Sequence, residues 1–378
     1  MKRVLILGGG FGGLAAAHHL RAKLDHKDEI ILADQRAHFM VGFRQTWALV
    51  GASTMDEGLR PLSALERKGI HFIHAPITQL DPDARAATID GKSFQADAII
   101  IALGAELASE KIPGFASHAI NFYDRASIPR AADALRDFTG ARLAIGIFGA
   151  PYKCPPAPYE LALLTRDFFA RQGKAIEMDV FTPQPMSLPV LGQASCSVIE
   201  NRLSASGINF MPNLKAASVE KNAVVFANGK REFDLLLGVP PHRVPAVIAQ
   251  SGLTNGGDWI KINPRTTETK FANVYAVGDV VEILTANGKP LPKAGVFAEA
   301  MARVAAERII ATFENRMPTA QFDGAGGCFL EVGNGEAMMV QGEFLAEPAP
   351  RVSLTDPSEK YLADKRAFEA ERLRAWLE

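Results

Sequence analysis

Residues 1–17 read MKRVLILGGGFGGLAAA. Val4-Leu5-Ile6-Leu7 is an apolar run with no polar interruption, which suits a strand buried on both faces. Gly8, Gly10 and Gly13 then spell G-x-G-x-x-G, with Gly12 inside the motif, and an alanine-rich helical segment follows. The three glycines serve a tight turn, a close backbone approach to a pyrophosphate, and close helix–strand packing. The free N–H groups and dipole at the helix start favour an anion. Asp34 ends the next apolar run, Ile30-Ile31-Leu32-Ala33, about 20 residues after the motif, where a carboxylate accepts from a ribose hydroxyl. A glycine motif set between strand and helix, with this acid downstream, predicts a dinucleotide-binding unit.

Composition narrows the rest. The chain has 378 residues, enough for two or three domains, and its 48% apolar and 22% charged residues are ordinary for a globular protein. A net charge of −1 gives no electrostatic case for nucleic acid. Three cysteines, Cys154, Cys196 and Cys328, make no disulfide framework but leave room for one functional pair. No apolar stretch approaches the ~20 residues that span a bilayer. Lys2-Arg3 is basic, but the run after it enters the glycine motif and reads as a strand, not an export signal.

Further along, residues 38–43 form an aromatic-rich loop before Trp47. Such a loop covers a flat ring or simply packs, and the residues leave both open. It holds no cysteine, so a thioether link to a cofactor from this loop is excluded. Residues 62–69 read as a helix stopped by glycine, and residues 70–74 as a strand. His71 and His74 then lie on opposite faces, which makes them poor joint metal ligands, and no metal site is expected. Residues 86–98 read as a hairpin turning at Asp90-Gly91. Residues 97–105 form a buried strand ending in a turn at Gly104, and Ile112-Pro113-Gly114 is an exit from the first unit.

A second α/β unit starts near Arg142 with an apolar strand over residues 143–149. Where a nicotinamide-nucleotide site would carry another glycine motif, residues 149–160 read GAPYKCPPAPYE. Proline removes the N–H donors that a phosphate needs. The turn has been given to a thiol, Cys154, and no NAD(P)H site is expected there. Residues 195–206 read as a helix with Cys196 in its first turn, expected buried and inert. Residues 224–230 make another hairpin, and residues 235–241 close the unit. Near Ile260 the chain returns to the first unit. Residues 271–279 form a strand with Asp279 just past its carboxyl end, where α/β sheets gather ligands. Residues 292–299 open a long helix whose N-terminus presents positive dipole. Cys328 starts a late strand that hairpins to residues 338–340. Residues 358–378 read as a helix with Tyr361, Leu362, Phe368, Leu373, Trp376 and Leu377 on one face and Arg366, Glu369 and Ala370 opposite. That face predicts packing on the body or on a second copy, or a foot on a membrane surface.

The expected architecture is α/β, with two Rossmann-like dinucleotide-binding domains of the glutathione-reductase type and a short C-terminal segment. A discontinuous dinucleotide-binding domain takes residues 1–112 and 245–318. A second Rossmann-like domain without a nucleotide motif takes 113–244. Residues 319–378 form a cysteine-bearing hairpin and an amphipathic helix.

With these motifs placed, the chain resembles the sulfide:quinone oxidoreductases and the flavoprotein subunit of flavocytochrome c sulfide dehydrogenase. The resemblance covers nearly the whole chain. Its generic part is Gly8, Gly10, Gly13, Asp34 and the V-Y-A-V-G-D run ending in Gly278-Asp279. Its specific part is Cys154 followed by P-P-A-P-Y-E, Pro292-Lys293-x-Gly295 before the long helix, and Cys328 in a C-x-x-E-x-G context. A third cysteine found in many quinone-linked members has no clear match, and the C-x4-C of other disulfide reductases is absent from the first helix. The resemblance implies non-covalent FAD held by Gly8, Gly10, Gly12, Gly13, Asp34, Gly104, Gly278, Asp279, Lys293 and Gly295. It implies a redox pair of Cys154 and Cys328, with Lys293 offsetting negative charge on the flavin and Glu160 as a candidate proton shuttle. The implied reaction is oxidation of sulfide to sulfane sulfur or polysulfide, with a quinone as acceptor. The alternatives are a soluble dehydrogenase passing electrons to cytochrome c and a persulfide-binding flavoprotein without turnover. A cytoplasmic location, possible peripheral contact with the inner membrane through the C-terminal helix, and a possible homodimer complete the expectations.

Overall fold

The computed structural model describes residues 1–378. The opening apolar run forms β1 (Arg3–Leu7), and α1 (Phe11–Lys23) follows the glycine turn. β2 (Glu29–Asp34), β3 (His71–His74) and β4 (Ala98–Ile101) pair in parallel in the order β4-β1-β2-β3. Val4, Leu5, Ile6 and Leu7 are fully buried, as a strand covered on both faces requires. A three-stranded antiparallel sheet over residues 77–95 sits between β3 and β4. Its hairpin turns at Asp90 and Gly91, both with positive φ, and its first strand, Ile77–Asp81, was not expected.

A second parallel sheet contains β5 (Ile120–Asn121), β6 (Arg142–Ile147), β7 (Glu177–Phe181), β8 (Ile208–Met211) and β9 (Leu235–Val239), in the order β5-β9-β6-β7-β8. Helix α2 (Ala157–Arg171) follows β6, and α3 (Gly192–Ala205) precedes β8. The chain then returns. β10 (Val274–Ala276) adds beside β4 of the first sheet, with Val274 opposite Ile99, and α4 (Gly295–Phe313) packs along α1. β11 (Ala325–Gly333), β12 (Glu336–Glu343) and β13 (Arg351–Leu354) form an antiparallel sheet, of which β13 was not expected. α5 (Glu359–Leu377) ends the chain.

The C-terminal segment joins two cores. Leu373, Trp376 and Leu377 of α5 belong to the core of the first sheet, whereas Leu330 and Val332 of β11 belong to that of the second. The seam between the sheets is therefore closed by the tail.

Two readings of individual positions are corrected here. Helix α3 begins at Gly192, so Cys196 lies in its second turn and not its first; it is fully buried and its Sγ–H donates to the Leu188 carbonyl at 3.1 Å. Glu369 does not lie on the outer face of α5. It is buried against Arg44, and the outer face carries Arg366, Ala370 and Arg374. The apolar side of α5 packs on the protein's own body, where the Trp376 ring meets Phe11 at 5.6 Å and Phe39 at 5.8 Å. That packing removes the Trp–Leu face from any membrane surface. No helix is long and apolar enough to cross a membrane.

Candidate active site

The glycine turn is built as the motif requires. A methyl group on Gly13 would collide with the Gly8 carbonyl, so α1 approaches β1 closely only with glycine there. At Gly10 no atom lies closer than 4.0 Å to the position of an added Cβ, which leaves the ligand side open. Gly10 caps α1 without a side-chain bond, so the leading N–H groups stay available to an anion. Asp34 is buried and accepts from the Gly9 N–H at 2.6 Å. It also pairs with Arg36, whose Nε and Nη2 lie 3.0 and 2.7 Å from its two oxygens. Burial pushes the Asp34 carboxyl up, but Arg36 and the Gly9 amide outweigh it and hold the group below its usual range. Arg36 escaped the sequence reading; its signal is a basic residue two places after the acid.

On the other side of the cradle, the Asp279 carboxylate accepts no hydrogen bond from the chain, and burial raises its pKa. The ammonium of Lys293 donates to the carbonyls of Asp279 at 2.6 Å and Val281 at 3.0 Å, and lies 3.5 Å from the centre of the Trp259 ring. Burial brings its pKa down to about 8. In this arrangement Lys293 braces the Asp279 segment against the start of α4. An open phosphate-side turn, an unpaired carboxylate past β10 and two uncapped helix starts fit a bound FAD.

The proline-rich turn meets this cradle through its backbone. The Cys154 N–H donates to the Lys293 carbonyl at 2.7 Å. Its carbonyl accepts from the Ala157 N–H at 3.0 Å and from the Tyr123 hydroxyl at 3.0 Å. These bonds hold Cys154 at φ +49°, a left-handed conformation that a cysteine adopts only when its surroundings over-determine it. His242 packs edge-on against Tyr123, with ring centroids 5.8 Å apart. Its Nδ1–H donates to the Pro240 carbonyl at 2.9 Å, and its Nε2 is buried without a partner.

Cys328 arrives on β11, which packs along α2, the helix that begins just after Cys154. Both thiols are free and half-buried. Each lies within electrostatic reach of Glu160 and Lys365, and Cys154 also of Cys328. Burial and then the neighbouring negative groups raise both thiols, with Cys328 pushed up to about 12, while Lys365 acts in the opposite direction.

Beneath them lies a buried ionic cluster. Lys365 Nζ donates to Glu160 Oε1 and to Glu331 Oε1, each at 2.8 Å. The Glu331 N–H donates to Glu160 Oε2 at 2.9 Å, and Trp47 Nε1–H donates to Glu331 Oε1. Burial raises the Glu160 pKa against the pull of Lys365. The same burial would lower Lys365, but the two carboxylates outweigh it and raise it. Glu331 stood in the C-x-x-E-x-G run without a role. Lys365 was missed altogether, although it is spaced three residues after Leu362 and eight before Leu373 on the buried side of α5. Of the aromatic loop, Phe39 packs on Trp376, and Phe43 lies against Trp47 and Phe368. No cluster of metal-ligating side chains is present.

Comparison with known proteins follows the same outline. The family model described as pyridine nucleotide-disulphide oxidoreductase matches residues 2–302. The mitochondrial sulfide:quinone oxidoreductase of Mus musculus is 24% identical over 365 residues, covering 91% of this chain and 79% of that protein. The sulfide-quinone reductase of Aquifex aeolicus is 26% identical over 344 residues, covering 83% of this chain and 77% of that protein. The X-ray structure of the Aquifex aeolicus sulfide:quinone oxidoreductase superposes with a TM-score of 0.88 at 23% identity, over 98% of this chain and 90% of that one. That likeness is one of fold.

Proposed function

The chain belongs to the pyridine nucleotide-disulphide oxidoreductase family and is an FAD-dependent oxidoreductase, and from that premise we propose that it oxidises sulfide through Cys154 and Cys328 and delivers the electrons to a quinone. The observation that carries the reading is the pair of cysteines, brought from distant parts of the chain to one Glu160–Lys365 cluster beside the cofactor cradle. The proline-rich turn supports it too, because it lacks the donors that a nicotinamide nucleotide would need.

The oxidised site holds a Cys154–Cys328 disulfide. Hydrosulfide attacks one sulfur, the S–S bond breaks, one cysteine carries the new sulfane sulfur as a persulfide, and the other leaves as thiolate. The proton released as the persulfide ionises goes to Glu160, whose raised pKa suits it to hold one. A second sulfide or thiolate takes the sulfane sulfur and leaves its cysteine as thiolate. The disulfide re-forms as the two thiolates give up two electrons. FAD, when bound, supplies the two-electron acceptor that links this dithiol to the quinone. Gly10, Asp34 and Asp279 would hold it, and Lys293 fixes the Asp279 segment through the two carbonyls.

The test is an anaerobic titration of purified protein with sulfide, with NADH in a parallel cuvette. Sulfide bleaches the flavin and added quinone restores it. Cys154→Ser and Cys328→Ser each abolish bleaching by sulfide; full bleaching in either variant overturns the pairing. Bleaching by NADH alone overturns the reading of the proline-rich turn. Recovery with cytochrome c but not with quinone transfers the acceptor role to a protein partner.

A further inference from the structure

The buried cluster contains two carboxylates and one ammonium, with Glu160, Glu331 and Lys365 at 3%, 5% and 1% exposure. Its members come from α2, β11 and α5. The rings of Phe43 and Trp47 close over the ammonium at 4.8 and 5.4 Å, so water does not screen it. Cys154 lies within electrostatic reach of Tyr123 and Tyr152, of Lys153 in its own turn, of Asp279 from the first sheet, of Glu160 of α2 and of Lys365 of α5. Cys328 lies within electrostatic reach of Glu160, Lys365 and Cys154. Lys365 is the cation the two thiols share. With both carboxylates ionised, the cluster keeps one unit of negative charge, and removing the ammonium would double it. Charge at this depth biases a thiol between its neutral and ionised forms far more than at a surface.

We propose that Lys365 is a positioning residue for the redox cysteines: docking of the tail helix delivers the ammonium that Cys154 and Cys328 share. The proposal rests on the reading of those cysteines as the sulfide-oxidising pair, and it makes the C-terminal helix a working part of the site.

The test reads the thiols themselves. FAD-loaded protein is reduced with dithiothreitol without oxygen. The rates at which iodoacetamide modifies Cys154 and Cys328 at one fixed pH are followed by peptide mass spectrometry, with Cys196 as internal reference. Charge counting gives the signs. Glu160→Gln removes a negative charge, and both rates rise about three- to tenfold. Lys365→Met removes the positive charge, and both fall by about the same factor. The double variant Lys365→Met with Glu160→Gln keeps the wild-type net charge, and its rates return to within about twofold of wild type. A folded Lys365→Met protein whose thiols react at the wild-type rate or faster overturns the proposal; faster reaction is what mere undocking of α5 would give. Should Lys365→Met not fold, the double variant is compared with Glu160→Gln. It is expected to react more slowly by the same factor, and equal rates overturn the proposal. Neither sulfide nor quinone enters this experiment. A protein that passes it but is not bleached by sulfide loses the proposed function, and the reverse result removes only the role of Lys365.

Discussion

The amide of Cys154 donates to the carbonyl of Lys293 at 2.7 Å, joining the turn after β6 of the second sheet to the segment that leads into α4 behind the first. One backbone bond thus ties the thiol-bearing turn to the cofactor cradle. Neither unit alone would hold a cysteine in the left-handed region at that place.

The start of α4 depends on a small residue. An added Cβ at Gly295 would lie 2.8 Å from the Phe11 ring, and Phe11 is the first residue of α1. Gly295→Ala is expected to push the two helices apart, at about 1–3 kcal/mol. FAD affinity, measured by reconstitution of the stripped protein, should fall at least about tenfold, since both helix starts face the cradle. Unchanged affinity would show that the α1–α4 approach does not shape the cofactor site.

The tail helix is held by a second buried pair. Arg44 donates through Nε at 2.7 Å and through Nη2 to the two oxygens of Glu369, which is 3% exposed. Arg44→Met leaves that carboxylate buried without its partner and is expected to cost about 3–5 kcal/mol. Hydrogen exchange across residues 359–377 should speed up more than in β1. Uniform acceleration throughout the chain would mean that α5 does not open as a separate unit.

Two histidines predict sensitivity to acid. Burial lowers His18 to about 4 and His242 to about 3, against ~6.5 in an unfolded chain. Between those values the unfolded chain binds protons that the folded one refuses. Stability from this source is therefore complete above about pH 6.5 and is lost as pH falls, on the order of 3 kcal/mol for each ring by pH 4. His18→Leu should unfold at a lower pH than the wild type, as followed by tryptophan fluorescence. An acid midpoint that stays put or rises would remove His18 from the explanation.

Cys196 offers the contrasting case. It is fully buried in the second sheet's core, its thiol is bonded to the Leu188 carbonyl, and burial raises its pKa. Cys196→Ala is expected to leave flavin reduction by sulfide unchanged while lowering stability by roughly 1 kcal/mol. Loss of sulfide-dependent bleaching in a folded Cys196→Ala protein would bring a third thiol into the reaction.

Much of the site was legible because its signals are local. The strand–glycine–helix run at residues 3–23, the acid at Asp34, the proline-filled turn around Cys154 and the strand ending before Asp279 each declare a backbone need within a few residues. Lys365 and Glu160 are 205 residues apart in sequence and 2.8 Å apart in space, and no local pattern announces that meeting. Glu369 shows the same limit from the other side. As a charged residue on an amphipathic helix it reads as solvent-facing, and only a buried Arg44, 325 residues away, turns it inward.

The sequence by itself determined the two parallel sheets, the dinucleotide cradle and the thiol in place of a second phosphate turn, because glycine and proline restrict the backbone wherever they stand. The tertiary structure alone decided which charges are buried, that the tail helix packs inward, and that Lys365 pairs with Glu160 and Glu331. A charge leaves water only where a partner of opposite sign is already in place, and here those partners come from helices and strands far apart in the chain.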